Sequence, residues 1–236
     1  MENPWENITI ENRIAKCDEV YLNKHNRNSK NELYLSTSDM PEPFIGDANA
    51  PILILLGSPG SIVDKSENLR TLNNEAFKNV INPFTESDFP FYPLKDKLKN
   101  TAHGKWWNRV FQVLLKDIVS NGITKDQAIK AVSKIFFNLE LYGYHSRITY
   151  KKFVKKANLL PSTSFNVHLI KQAMKKNKLI LMPRARRQWF EIVDGLAEYD
   201  NAIFVASNRG IEINKHTVSP RAYKIIIEKI KTANNG

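Results

Sequence analysis

The stretch Pro51-Ile-Leu-Ile-Leu-Leu-Gly-Ser-Pro-Gly60 decides the reading of this 236-residue chain. Five consecutive apolar residues between a proline and a glycine are too few for a buried helix. They suit a strand covered on both faces, the kind found in parallel sheets. Three similar runs follow. They are Ile135–Leu141 (IFFNLEL), Leu179–Met182 (LILM) and Ala202–Ala206 (AIFVA). Helical patterns separate them. Trp107, Val110, Phe111, Leu114 and Ile118 mark one face of a helix over 106–119, and further helices fit 124–133, the later part of 151–177, 186–198 and 220–232. Ser219 and Pro220 suit the cap and first turn of the last one. Strands alternating with helices predict an α/β fold with three layers: a central four-stranded parallel sheet and helices on both faces.

Outward from this frame, the stretch 36–50 reads as an ordered loop and 61–105 as irregular, and an irregular stretch of that length in a compact domain is commonly functional. Ile8, Ile14, Val20 and Tyr21 suggest the buried face of an N-terminal helical extension over 1–40. The whole, 1–236, reads as a single domain. The N-terminal residues lack the basic start and apolar run of a signal peptide, and no apolar run is long enough to span a bilayer. The lone Cys17 excludes an internal disulfide, a cysteine-ligated zinc site and an iron–sulfur cluster. A cytoplasmic location is the expectation. There are 35 Lys and Arg against 24 Asp and Glu, a net charge of +11. Residues 1–118 carry 14 against 16, whereas residues 119–236 carry 21 against 8. A basic C-terminal half fits a polyanionic partner, and equally a solvated lysine-rich surface.

Ligands of open parallel sheets bind at the carboxyl ends of the strands. That rule selects Ser58–Gly60, Asn138–Ser146, Arg184–Arg187 and Ser207–Gly210. The first turn is not a P-loop, since no Gly-Lys-Ser/Thr follows it, and no G-x-G-x-x-G is present. Its glycines let a ligand approach the main chain. On the second strand, alternation puts Asn138, Glu140 and Tyr142 on one face, where an amide and a carboxyl can meet a base edge, with His145 nearby as a general acid or electrostatic stabiliser. Arg184, Arg186 and Arg187 directly follow a buried strand and have the fork geometry for phosphates.

Several of these segments resemble the uracil-DNA glycosylase superfamily. PILILLGSPG is similar to its first motif, an apolar strand followed by Gly-x-Asn-Pro-Gly in some branches. PEPFIGDANAP, FPFYPL, WWNRVF, LELYGYHS and LILMPRARRQW look like segments of its little-described bacterial members. The resemblance spans about 40 to 230. It implies a four-stranded parallel sheet flanked by helices, and hydrolysis of the N-glycosidic bond of a base flipped out of DNA. It further implies that Pro59 and Gly60 wall the pocket and that Ser58 stands where an asparagine positions water. An aromatic after the first motif, Phe91 or Tyr92, would stack on the base, and Asn138 or Glu140 would read its edge. Asn208 and Arg209 occupy the place of the second motif. The Pro-Ser of that motif is missing, as is the Gly-Gln-Asp-Pro-Tyr of the commonest branch.

The expectation is therefore a monofunctional DNA glycosylase in base excision, acting on a base other than ordinary uracil, such as a modified base in invading DNA. Ser58, Glu140, His145 and Asn208 are the catalytic candidates, with Asp64 a further choice for activating water. Arg184, Arg186, Arg187 and Arg209 would grip phosphates. The chain is expected to act on DNA as a monomer, away from membranes, without a metal or organic cofactor. The alternative is a nucleic-acid-binding module on the same fold that has lost hydrolysis. A small-molecule hydrolase ranks last, since no Gly-x-Ser-x-Gly elbow is present.

Overall fold

A computed structural model describes residues 1–28, 34–60, 69–84, 87–146, 159–206 and 210–235. The elements are α1 (Glu19–Asn28), β1 (Leu35–Ser36), β2 (Phe44–Gly46), β3 (Ile52–Leu56), α2 (Leu69–Ile81), α3 (Ala102–Ser120) and α4 (Lys125–Ile135). These are followed by β4 (Phe136–Glu140), β5 (His145–Ser146), α5 (Thr163–Lys175), β6 (Leu179–Met182), α6 (Arg186–Ile192), β7 (Ala202–Phe204) and α7 (Pro220–Asn235). The fold is α/β.

The four apolar runs form β3, β4, β6 and β7, all mutually parallel, but among the described residues the sheet has five strands and is mixed. Its order is β2-β4-β3-β6-β7, with β2 antiparallel to β4. β3 lies at the centre, paired with β4 in the register Ile52↔Phe136 to Leu56↔Glu140 and with β6 from Ile52↔Leu179. Every residue of β3, β4 and β6 is buried. That is why these strands read as unbroken apolar runs. β7, at the edge, is only partly covered, and Phe204 at its end is 47% exposed.

Expecting four strands missed β2, which lies in the presumed loop 36–50. It is held at both sides of Gly46. Gly46 N–H donates to Asn79 Oδ1 at 3.0 Å, and Asn79 Nδ2 donates back to Gly46 O at 2.7 Å. Gly46 has φ +105°, and a Cβ there would sit 2.7 Å from the Phe136 carbonyl, so no other residue fits. Asn79 belongs to α2, a helix inside the stretch read as irregular. Leu72, Ala76 and Val80 form its short buried stripe.

The other helices follow their patterns. α3 buries Trp107, Val110, Phe111, Leu114 and Ile118. α4 starts with a capping box of Thr124 and Gln127. Ser219 Oγ accepts from Ala222 N at 3.3 Å, with Pro220 opening α7. α6 stops at Ile192 rather than 198, because the chain turns through Gly195 at φ +77°. The N-terminal extension differs from its expectation. α1 covers only its later part, and Val20 and Tyr21 are 76% and 55% exposed. Ile8 is buried as expected and Ile14 partly so, while Trp5, Ala15 and Leu22 take the places of the two exposed residues, and the Ala15 N–H and Asp18 carboxylate are tied to the Tyr144 hydroxyl. No described helix is long and apolar enough to cross a membrane.

Candidate functional site at the carboxyl ends of the strands

The chain leaves β3 toward β4 on one side of the sheet, and leaves β6 toward β7 on the other. The strand order therefore reverses between β3 and β6, and the carboxyl ends at that crevice are where such sheets take ligands. Here the turn 57–60 is laced to the segment after β4. Gly57 O accepts from Tyr142 N at 3.1 Å, and Gly60 O accepts from Ser146 N at 3.0 Å. The buried Trp189 of α6 donates its indole N–H to Leu56 O at 2.8 Å. Ser58, Pro59 and Gly60 remain half-buried. Gly60 has φ +78°, and no atom of the described residues lies within 4 Å of where its Cβ would be. The turn is thus fixed by its carbonyls, while among the described residues its outer side stays open.

Asn138 and Glu140 lie side by side on β4, as alternation requires, and both are buried. Asn138 Nδ2 donates to Glu140 Oε1 at 3.0 Å. Among the described residues, Asn138 Oδ1 and Glu140 Oε2 have no hydrogen-bond partner. The Glu140 backbone is pinned, its N–H to Pro43 O at 2.9 Å and its carbonyl to Asn166 Nδ2 at 2.7 Å. Burial pushes the Glu140 carboxyl well above the usual carboxylate range; the Asn138 amide works against this, the Glu42 charge adds to it, and Arg184 opposes it. A proton on Oε2 makes Glu140 a donor beside the Asn138 acceptor. Two such buried, unsatisfied atoms are costly unless a ligand meets them.

Next to this pair lies a cluster that the sequence reading missed. Glu42, from the turn before β2, is buried with its Oε1 accepting from the Tyr92 hydroxyl. Its Oε2 lies 2.6 Å from His103 Nε2 and 3.5 Å from His145 Nε2. Burial pushes the Glu42 carboxyl up, but His103, His145 and the Tyr92 hydroxyl outweigh it and bring it down to about 2. Burial and the Glu42 charge hold the Tyr92 hydroxyl well above its ordinary value, so it stays a donor. Glu42, His103 and His145 bring ligand atoms within 4.8 Å of one another and are suited to hold a metal ion. Glu42 hides between Pro41 and Pro43, and His103 in the first turn of α3, so a search of strand ends passes over both.

His103 depends on Gly104. A Cβ at Gly104 would lie 2.0 Å from the Leu98 carbonyl, while Gly104 N–H donates to the capping Thr101 Oγ1 at 3.0 Å. Gly104→Ala must push α3 off the preceding turn. It is expected to cost about 1–3 kcal/mol of stability, read by denaturant unfolding, and to displace His103 from Glu42.

The structure brings Ser58, Pro59, Gly60, Asn138, Glu140, Tyr92 and His145 to one end of the sheet, and it changes the readings of Phe91, Tyr92 and His145. Phe91 is a core residue, with Trp107 edge-on at 4.6 Å and Phe111 at 5.7 Å, so its ring is enclosed rather than offered to a base. Tyr92 is likewise buried, with its hydroxyl committed to Glu42. His145 turns both ring nitrogens onto protein oxygens, Nδ1 to Gly60 O at 3.0 Å and Nε2 to Met40 O at 3.1 Å, and burial lowers its imidazole below the ordinary value against the pull of Glu42. It positions the turn instead of facing a substrate. Arg184, Arg186 and Arg187 are exposed beyond β6, and the Arg186 guanidinium lies 4.0 Å over the Phe204 ring. Asp64, Asn208 and Arg209 lie outside the described residues. Comparison with protein-family models, curated proteins and solved structures found no match for this chain.

Proposed function

We propose that this chain is a DNA glycosylase of the uracil-DNA glycosylase type, built as a three-layer domain, that excises a modified base. The observation that carries the reading is the buried Asn138–Glu140 pair, with its unpartnered acceptor and raised carboxyl, beside the open Ser58–Gly60 turn. A flipped base whose edge presents a donor next to an acceptor matches that pair. As the bond between the sugar carbon and the base nitrogen breaks, its electron pair leaves with the base, which takes the Glu140 proton. Water adds to the sugar carbon, and the proton it releases restores the Glu140 acid. Main-chain N–H groups of the turn would hold charge on the departing base.

The test is an abasic-site assay on single- and double-stranded DNA carrying normal, deaminated, hydroxymethylated or glycosylated bases. Alkali-sensitive breaks at one base type support the reading and name its substrate; intact DNA throughout sinks it. The exposed arginines suit phosphate contacts. Arg184→Ala, Arg186→Ala and Arg187→Ala are each expected to weaken DNA binding and to flatten the slope of log affinity against log salt by about 1. Filter binding across a salt series measures this.

A second reading, a module that binds nucleic acid without hydrolysis, has two features behind it. Ser58 replaces the water-positioning asparagine, and Phe91 is closed off as a stacking platform. It predicts DNA affinity with a steep salt dependence and no abasic product.

A further inference from the structure

We propose that Glu42, His103 and His145 form a binding site for one divalent ion of the zinc class, with Glu42 Oε2 and the Nε2 atoms of both imidazoles as its ligands. The geometry of His145 points there first. Its ring is buried, and each nitrogen faces an oxygen acceptor: Gly60 O at 3.0 Å from Nδ1, then Met40 O at 3.1 Å and Glu42 Oε2 at 3.5 Å from Nε2. A neutral imidazole has one N–H. With that proton on Nδ1, donated to Gly60 O, the Nε2 lone pair is aimed at two electron-rich oxygens, an arrangement that calls for a cation between them.

The outer contacts are those a metal site uses. A ligating histidine almost always donates its other ring N–H to a carbonyl or carboxylate, which fixes the tautomer. Gly60 O does this for His145. A ligating carboxylate is itself hydrogen-bonded, and the Tyr92 hydroxyl occupies Glu42 Oε1, leaving Oε2 for the ion. Zinc bonds of about 2.0–2.2 Å spread around a tetrahedron put ligand atoms roughly 3.3 Å apart. Glu42 Oε2 lies 2.6 and 3.5 Å from the two Nε2 atoms, and one ligand atom from each of the three side chains lies within 4.8 Å of the others, so small side-chain shifts complete the site. Two imidazoles and one carboxylate suit zinc and its neighbours; calcium and magnesium call for more oxygen ligands than the three side chains offer. Glu42 and His145 are buried and His103 is 11% exposed, so the ion would enter from the His103 side, where water can supply a further ligand. The site goes beyond the glycosylase reading and stands whether or not the chain excises a base from DNA.

The test uses the full chain, freed of metal with a chelator and titrated with Zn²⁺ by calorimetry. One ion per chain is expected. His103→Ala is expected to weaken binding by about 100-fold or more, since loss of an outer partner alone costs about 10–100-fold. His216→Ala, at an exposed histidine remote in sequence, should leave it unchanged. NMR of the imidazole nitrogens in the unmutated chain needs no variant to fold. On adding Zn²⁺, two Nε2 signals should move while one of those rings keeps its Nδ1 proton. Uptake well below one ion per chain, uptake insensitive to His103→Ala, or ring nitrogens that do not move would each overturn the proposal. The three groups would then be a network sharing a proton. Base excision is not read in any of these measurements, so failure here leaves the abasic-site result to stand by itself.

Discussion

Glu140→Gln is expected to lower base excision by about 10²–10⁴-fold while leaving salt-dependent DNA binding intact. Glutamine keeps the hydrogen bonds of the protonated acid: its oxygen still accepts from Asn138 Nδ2, and its amide still donates where Oε2–H did. What it lacks is a proton to give. Positioned acid catalysis contributes roughly that factor, so the variant separates proton transfer from base recognition. The same change has a stability signature. In the unfolded chain Glu140 ionises near its ordinary value of 4.5, whereas burial keeps it protonated well above that in the fold. Its contribution is therefore fully present below 4.5 and is lost as pH rises toward the folded value, at up to about 1.4 kcal/mol per pH unit. Glu140→Gln removes that loss. It should unfold at higher denaturant than the parent at pH 8, with the difference closing toward pH 4. A variant with full excision activity would remove Glu140 from the chemistry. A stability difference independent of pH would mean that the carboxyl is ionised in the folded state.

What the sequence made legible was set by length and by burial on both faces. β3, β4, β6 and β7 each run three to five residues with almost no polar interruption, and two-sided burial leaves that trace in any chain. β2 has three residues between Pro43 and Asp47, and its place in the sheet comes from Asn79, 33 positions away. No local pattern carries such information. α2 was hidden for a related reason: its buried stripe is only Leu72, Ala76 and Val80, diluted by Asn73, Asn74 and Asn79. The site divided along the same line. Asn138 and Glu140 share a strand, so alternation put them on one face correctly. Glu42, Tyr92, His103 and His145 come from four separate segments and meet only through tertiary packing. Tyr92 and His145 stood out in the sequence for other roles, and their meeting with Glu42 and His103 is visible in the folded chain alone.

Phe91→Ala is expected to cost about 3–5 kcal/mol of stability, the range for emptying a buried phenylalanine site. That is a large part of the roughly 5–15 kcal/mol that holds an ordinary domain together. The side chain is enclosed by Trp107 and Phe111, and its ring edge would lie 3.3 Å from a Cβ at Gly46. Its backbone N–H donates to the buried Ser133 Oγ at 2.9 Å, which anchors the turn carrying Tyr92 to α4. Removing the ring leaves a cavity where α3, β2 and α4 converge, with rigid neighbours that relax only in part. The melting temperature should fall by many degrees, and Phe91→Leu, which refills most of the volume, should recover much of the loss. A base-stacking platform would behave in the opposite way. Its truncation would leave the midpoint of unfolding where it was and remove DNA affinity or excision from a fully folded chain, since stacking on an aromatic ring is worth about 1–3 kcal/mol per base. Denaturant midpoints measured beside DNA binding at a temperature where the variant is folded distinguish the two roles. A lowered midpoint with binding retained assigns Phe91 to the core and leaves any stacking on a flipped base to another side chain. The half-buried Pro59 at the open face of the turn is then the first to substitute.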